Sequence, residues 1–155
     1  MKLTNMKTFS YCLTVILLCL SCHAVKAQDL EGIDSTKLTK EQVIAKFGQP
    51  DEYTDTVYED GRYETYIYGN DRLLFIDGSL FEFYISSKNF AVFTKDIDGG
   101  IRVGDSLEKV LNSDLKPHYS AWHDDNTYYQ YFFDLRINYR IKDGIIMEIW
   151  TFFPV

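Results

Sequence analysis

Beyond residue 52 the chain runs in short stretches of alternating apolar and polar residues, cut at near-regular intervals by Asp, Gly and Asn. Successive side chains of a strand point to opposite faces, so this alternation predicts half-buried strands. Stretches at 53–58, 62–68, 72–76 and 79–86 form one group, and stretches at 118–123, 128–133, 135–141 and 145–153 form another, with a short run at 90–94 after the first. Between them stand Asp60-Gly61, Gly69-Asn70-Asp71, Asp77-Gly78, Asp124-Asp125-Asn126, Asp134 and Asp143-Gly144. Asp-Gly between β-rich runs signals a tight hairpin, because glycine accepts the positive φ of such turns. Each group therefore predicts an antiparallel meander.

A helical period precedes each group. Val43, Ile44 and Phe47 fall on one face of a predicted helix that starts at Thr39, and Leu107, Val110 and Leu111 do the same after Asp105 or Ser106. Thr39 with Gln42 has the spacing of a capping box, and Gly48 and Pro50 end the first helix. The two passages correspond without a gap: Thr39 to Ser106, Glu41 to Glu108, Val43 to Val110 and Pro50 to Pro117 are each 67 residues apart. Leu80-Phe-Glu-Phe-Tyr84 likewise echoes Ile146-Met-Glu-Ile-Trp150. The expected fold class is α+β: two tandem helix-plus-antiparallel-meander repeats, about 35–94 and 101–155, forming one sheet with helices on one face. A unit of roughly 60 residues buries little surface alone, so the repeats are expected to share one domain over 28–155.

Period-two alternation then sorts residues by face. Leu135, Ile137, Tyr139 and Ile141 form the expected core set, opposite Arg136, Asn138, Arg140 and Lys142. Continuing the alternation puts Ile145, Met147 and Ile149 in the core and Ile146, Glu148, Trp150 and Phe152 on the open side, joined by Tyr128, Gln130 and Phe132. The repeat adds Leu80, Glu82 and Tyr84. A face mixing Trp, Tyr, Phe and Arg has the composition of a partner surface. The expected partner-binding set is Trp150, Phe152, Tyr128, Arg136, Arg140, Glu148, Tyr84 and Glu82. Against it stands an internal role for these aromatics in cross-strand stacking or under the termini.

The first residues read as an address. Lys2 and Lys7 precede an apolar run at 11–20, and Val25-Lys-Ala27 offers small residues before Gln28, the form of a secretory signal over residues 1–27. The run is short for a membrane span, which takes roughly 20 apolar residues. Leu20-Ser-Cys22 faintly resembles a lipoprotein signal, which leaves lipidation of Cys22 and an outer-membrane anchor as the alternative to a free periplasmic or secreted protein. Cys12, Cys19 and Cys22 all precede Ala27, so cleavage there leaves no disulfide and no thiolate.

Composition removes several function classes. The formal net charge is −7, and removal of Lys2, Lys7 and Lys26 with the leader takes it to −10, which disfavours nucleic acid as a partner. His118 and His123 lie an odd number of residues apart on one predicted strand, so they are not expected to chelate one ion, and Asp96-Ile-Asp98-Gly99 lacks the ligands of a calcium loop. No nucleophile stands beside a base and no glycine loop cradles phosphate, so neither an enzyme nor a cofactor is expected.

The passage Gly104-Asp-Ser-Leu-Glu-Lys-Val110, followed by a turn proline and a meander, resembles the BamE/SmpA lipoproteins and the wider fold of the β-lactamase inhibitory protein. The resemblance implies a non-enzymatic role in binding a protein in the cell envelope, as inhibitor, immunity factor or assembly subunit. A small-molecule or lipid carrier of the envelope is the alternative class. For the exported protein, N-terminal sequencing with intact mass is expected to give Gln28 as the first residue; an acylated Cys22 is the contrary result.

Overall fold

Two of the three predicted Asp-Gly turns adopt left-handed backbone at two consecutive residues: φ is 49° at Asp77 and 80° at Gly78, and 53° at Asp143 and 76° at Gly144. This turn type follows the right-handed twist of the strands it joins, so the chain reverses in two residues. A computed structural model describes residues 28–29, 38–93, 97–132 and 135–152. Its main sheet holds β2 (Glu52–Tyr58), β3 (Gly61–Tyr68), β4 (Asp71–Ile76), β5 (Ser79–Ile85), β7 (Tyr119–Asp124), β8 (Thr127–Phe132), β9 (Leu135–Lys142) and β10 (Ile145–Phe152). A second small sheet pairs β1 (Gln28–Asp29) with β6 (Phe90–Ala91) in parallel. The helices are α1 (Lys40–Phe47) and α2 (Leu107–Leu111).

The strand order of the eight-stranded sheet is β2-β3-β4-β5-β10-β9-β8-β7, antiparallel throughout. Two meanders thus meet through their last strands. At that seam the register spans only Ile85 opposite Ile149 and Tyr84 opposite Trp150. Just past it the Phe83 N–H donates to Thr151 Oγ1 at 2.9 Å, a side chain standing in for the missing strand partner.

One face of the sheet carries the core. Tyr66, Leu73, Phe75, Leu80, Phe83, Ile85, Ile137, Tyr139, Ile146 and Ile149 are buried there with Val43, Phe90, Val92, Ile101, Val103, Leu107 and Val110. Much of the covering set, Phe90 to Val103, comes from the connection between β5 and α2 rather than from a helix. Phe47 joins it by packing its ring 4.8 Å from that of Phe90.

These observations correct the α+β expectation: the protein is a predominantly all-β structure built on one sheet. The helices are 8 and 5 residues long. Helices of that length are marginal alone and too small to form a layer. What recurs at the sequence interval is a junction. Lys40 N–H donates to Gly78 O at 3.1 Å and Leu80 N–H to Leu38 O at 2.8 Å; Leu107 N–H donates to Gly144 O at 2.9 Å and Ile146 N–H to Asp105 O at 2.8 Å. Each helix start is thereby pinned to an Asp-Gly turn. Capping differs between the copies: Thr39 and Gln42 form the capping box, whereas Ser106 makes no side-chain cap bond.

The recurrence includes a bulge. Leu74 faces Glu82 and Phe75 faces Leu80, so Phe81 is the extra residue of β5; Ile146 faces Ile141 and Glu148 faces Arg140, so Met147 is the extra residue of β10. A bulge breaks strict alternation. Hence Ile146 is fully buried while Ile145 and Met147 are exposed, the reverse of the sequence expectation.

Several buried polar groups on the core side have partners. Lys40 Nζ donates to both Glu64 oxygens, at 2.8 and 2.7 Å, tying α1 to β3. Asp71 accepts from the Ser86 and Ser87 N–H groups and from the Ser87 hydroxyl, and Tyr139 OH donates to Gln130 Oε1 at 3.0 Å. Burial pushes the Tyr139 phenol far above its ordinary pKa and that of Tyr68 up to about 12.

Two outcomes are expected. A Cβ at Gly144 meets nothing within 4 Å, so Gly144→Ala carries backbone strain alone and lowers stability by about 1–2 kcal/mol in urea unfolding, with Gly144→Asn milder. Both raised tyrosines contribute stability that is present below the unfolded phenol pKa of about 10 and lost as pH rises through their folded values. Absorbance at 295 nm is therefore expected to show Tyr139 ionising only with unfolding; its titration in the folded protein near pH 10 is the contrary result.

Candidate binding face

The surface opposite the core is built by residues whose register places them side by side. Tyr84, Trp150, Asn138, Tyr129 and Ala121 form a row across β5, β10, β9, β8 and β7. Phe152, Arg136, Tyr131 and Tyr119 make a parallel row, as do Glu148, Arg140 and Thr127. Arg136, Asn138 and Arg140 thus stand in line on β9 with aromatic residues on both flanks.

The two arginines are held differently. Arg140 Nε donates to Glu148 Oε2 at 2.9 Å across the β9–β10 pair, and its guanidinium lies 5.6 Å from the centre of the Trp150 ring. The Arg136 guanidinium lies 4.3 Å from the ring of Tyr129 and 5.8 Å from that of Tyr131. Such stacking orients a guanidinium over its plane and leaves the in-plane N–H groups for acceptors. Arg136 Nε is sealed from solvent and has no hydrogen-bond partner among the described residues.

Asn138 separates them. It is 2% exposed, donating through Nδ2 to Trp150 O at 3.4 Å, and it floors a hollow of about 280 Å³ lined also by His123, Asp124, Thr127, Arg136, Arg140 and Trp150. A second hollow, about 370 Å³, lies beyond Tyr84 against Ile67, Asn70, Asp71 and Arg72. Electrostatics are mixed. Hydrogen bonding to the Asn126 N–H holds the Asp124 carboxyl below its ordinary pKa. Desolvation, then the Glu148 carboxylate, raises the phenol of Tyr84, and desolvation, then Tyr119, raises that of Tyr129.

Of the residues singled out from sequence, Trp150, Arg136, Arg140, Glu148 and Tyr84 converge on this face, with Glu82 two residues along β5 from Tyr84. Phe152 faces Arg136 in register, though its side chain lies outside the described residues. Tyr128 does not belong: it faces Tyr139, is 7% exposed and lies in the core cluster, and Gln130 and Phe132 share its side. The β8–β9 register sets Phe132 opposite Leu135 and carries Tyr128 to the core side. Leu80 is also buried with the core, because the bulge at Phe81 turns it inward. Tyr129, Tyr131 and Tyr119 are the members that sequence reasoning missed; Asn138 was expected on this side of β9 but not among the partner-binding residues.

His123 sits at a register shift of β7, and His118 precedes the strand, so simple alternation does not relate them. Among the described residues no group of three or more His, Cys, Asp or Glu side chains is placed to hold a metal, and no helix is long and apolar enough to cross a membrane. Cys22, the leader over residues 1–27, and Asp96 lie outside the described residues.

A scan of protein-family models finds no match, and a search of curated proteins finds none. Among solved structures the chain is similar to a Streptococcus mutans protein described as a candidate beta-lactamase inhibitor protein, at 12% identity, with 74% of this chain and 82% of that one covered and a TM-score of 0.32. That neighbour touches the inhibitor half of the resemblance drawn from sequence, at a similarity too low to carry a fold or a role, and nothing found touches the BamE/SmpA half.

Proposed function

We propose that the protein is a non-enzymatic binding module of the periplasm or the secreted fraction that recognises a protein partner through the open face of its sheet. One observation carries this reading: Trp150, Tyr84, Tyr129, Tyr131 and two arginines occupy adjacent register positions on the face away from the core. Large aromatic side chains lose little conformational entropy on docking, and with Arg they dominate binding energy at interfaces. Their half-burial comes from one another and from the arginines stacked on them, which presents them already ordered. Inhibition, immunity and envelope assembly are the roles that such a module fits.

The test is photo-crosslinking in the native cell envelope. A benzophenone side chain in place of Tyr84 or Tyr119, both on the open face, is expected to capture one protein in common. The same group at Val57, which is 74% exposed on the outer strand β2, is expected to capture nothing comparable. Equal capture at all three positions, or none at the first two, overturns the reading.

A further inference from the structure

The Asn138 hollow lacks a partner of one particular chemistry. Arg136 and Arg140 stand two residues either side of Asn138 on one face of β9, and each has its guanidinium stacked on a ring. Arg140 has Glu148 as counterion; Arg136 has no ion pair among the described residues, and its Nε is shut off from water without an acceptor. Arg136 lines the hollow without a carboxylate of its own, so an incoming acceptor gains more from it than from Arg140, which is already paired. The chain as a whole is acidic, net −7, so two adjacent arginines with an unmet donor run against the general sign of its surface.

We propose that this hollow takes the carboxylate of an acidic side chain of the protein partner, with Arg136 as its principal ligand. The proposal rests on the open face being a partner surface. Carboxylate, a planar monoanion, matches the fork of a guanidinium. Phosphate fits less well, because Asp124 lines the same hollow and repels a dianion more than a monoanion. His123 completes the titratable groups at the rim. Trp150 supplies a flat wall against which the aliphatic stem of an incoming Asp or Glu lies.

Two measurements decide it. In the intact folded chain labelled with ¹⁵N, the Arg136 Nε–Hε resonance is expected to shift saturably with sodium acetate and not with sodium chloride at equal ionic strength. Phosphate binding more tightly than acetate, or no saturable shift with either, overturns the assignment. Crosslinking from Tyr84 is expected to fall at least tenfold in Arg136→Gln with unchanged thermal unfolding, and to recover only partly in Arg136→Lys, which keeps charge but loses the fork. Capture undiminished in Arg136→Gln overturns the proposal and leaves the partner surface standing, and with acetate binding intact it assigns the hollow to a free carboxylate. No capture even in the parent chain brings down the surface reading itself.

Discussion

The structure depends on a seam two residues long. Every other strand pair in the main sheet belongs to neighbours in sequence, but β5 and β10 meet across more than 60 residues through Ile85 with Ile149 and Tyr84 with Trp150. Local hairpins close cheaply, whereas this contact must repay the ordering of the long connection. The repayment is apolar: Ile85 and Ile149 are fully buried, in one core cluster with Phe90, Val92 and Ile101, residues of the connection itself. Thr151 extends the seam by one side-chain bond to the Phe83 N–H. The segment that makes the contact distant is therefore also the one that stabilises it.

Joining last strand to last strand puts Tyr84 and Trp150 at the middle of the open face. The bulges at Phe81 and Met147 set which residues those are. Without the extra residue in β10, alternation from Ile146 would turn Glu148 to the core and bury a charge; with it, Ile146 and Ile149 both face inward and Glu148 reaches Arg140. Packing on one side thus fixes the array on the other.

Much of this was legible in sequence. Strands from 52 to 85 and from 119 to 152 follow from alternation and from Asp-Gly chemistry, and Thr39 with Gln42 marked the first helix start correctly. The face of β9 was also legible, because eight residues alternate without interruption and its core set is buried throughout. Two things were not. The recurrence at 67 residues signalled a turn-to-helix junction, and reading it as a helix layer overstated elements of 8 and 5 residues. Bulges leave no mark in composition, since Phe81 and Met147 are apolar like the Leu80 and Ile146 that precede them, so alternation alone misplaced Ile145, Ile146 and Met147. Tyr128 was recoverable: pairing Phe132 with Leu135 and counting back sets it opposite Tyr139, already a core residue.

Under the proposed binding role, the sheet edges bear on how a partner engages. β2 and β7 each have one unpaired side, and strand addition there would be a simple route to association. Both edges carry obstacles to it. β2 bears Glu52 and Asp55, the latter paired with Arg62 across the strand, and Pro50 precedes it; β7 has a register shift at His123 and ends on Asp124. Charges and bulges on an edge disfavour continuous pairing with another strand. The open face has no such defence, and its arginines are stacked on rings rather than splayed into solvent as a screen. On the proposed reading, guarded edges and an open aromatic face favour contact by side chains across the sheet, and Asn138, small and recessed between two guanidiniums, is where an incoming residue inserts.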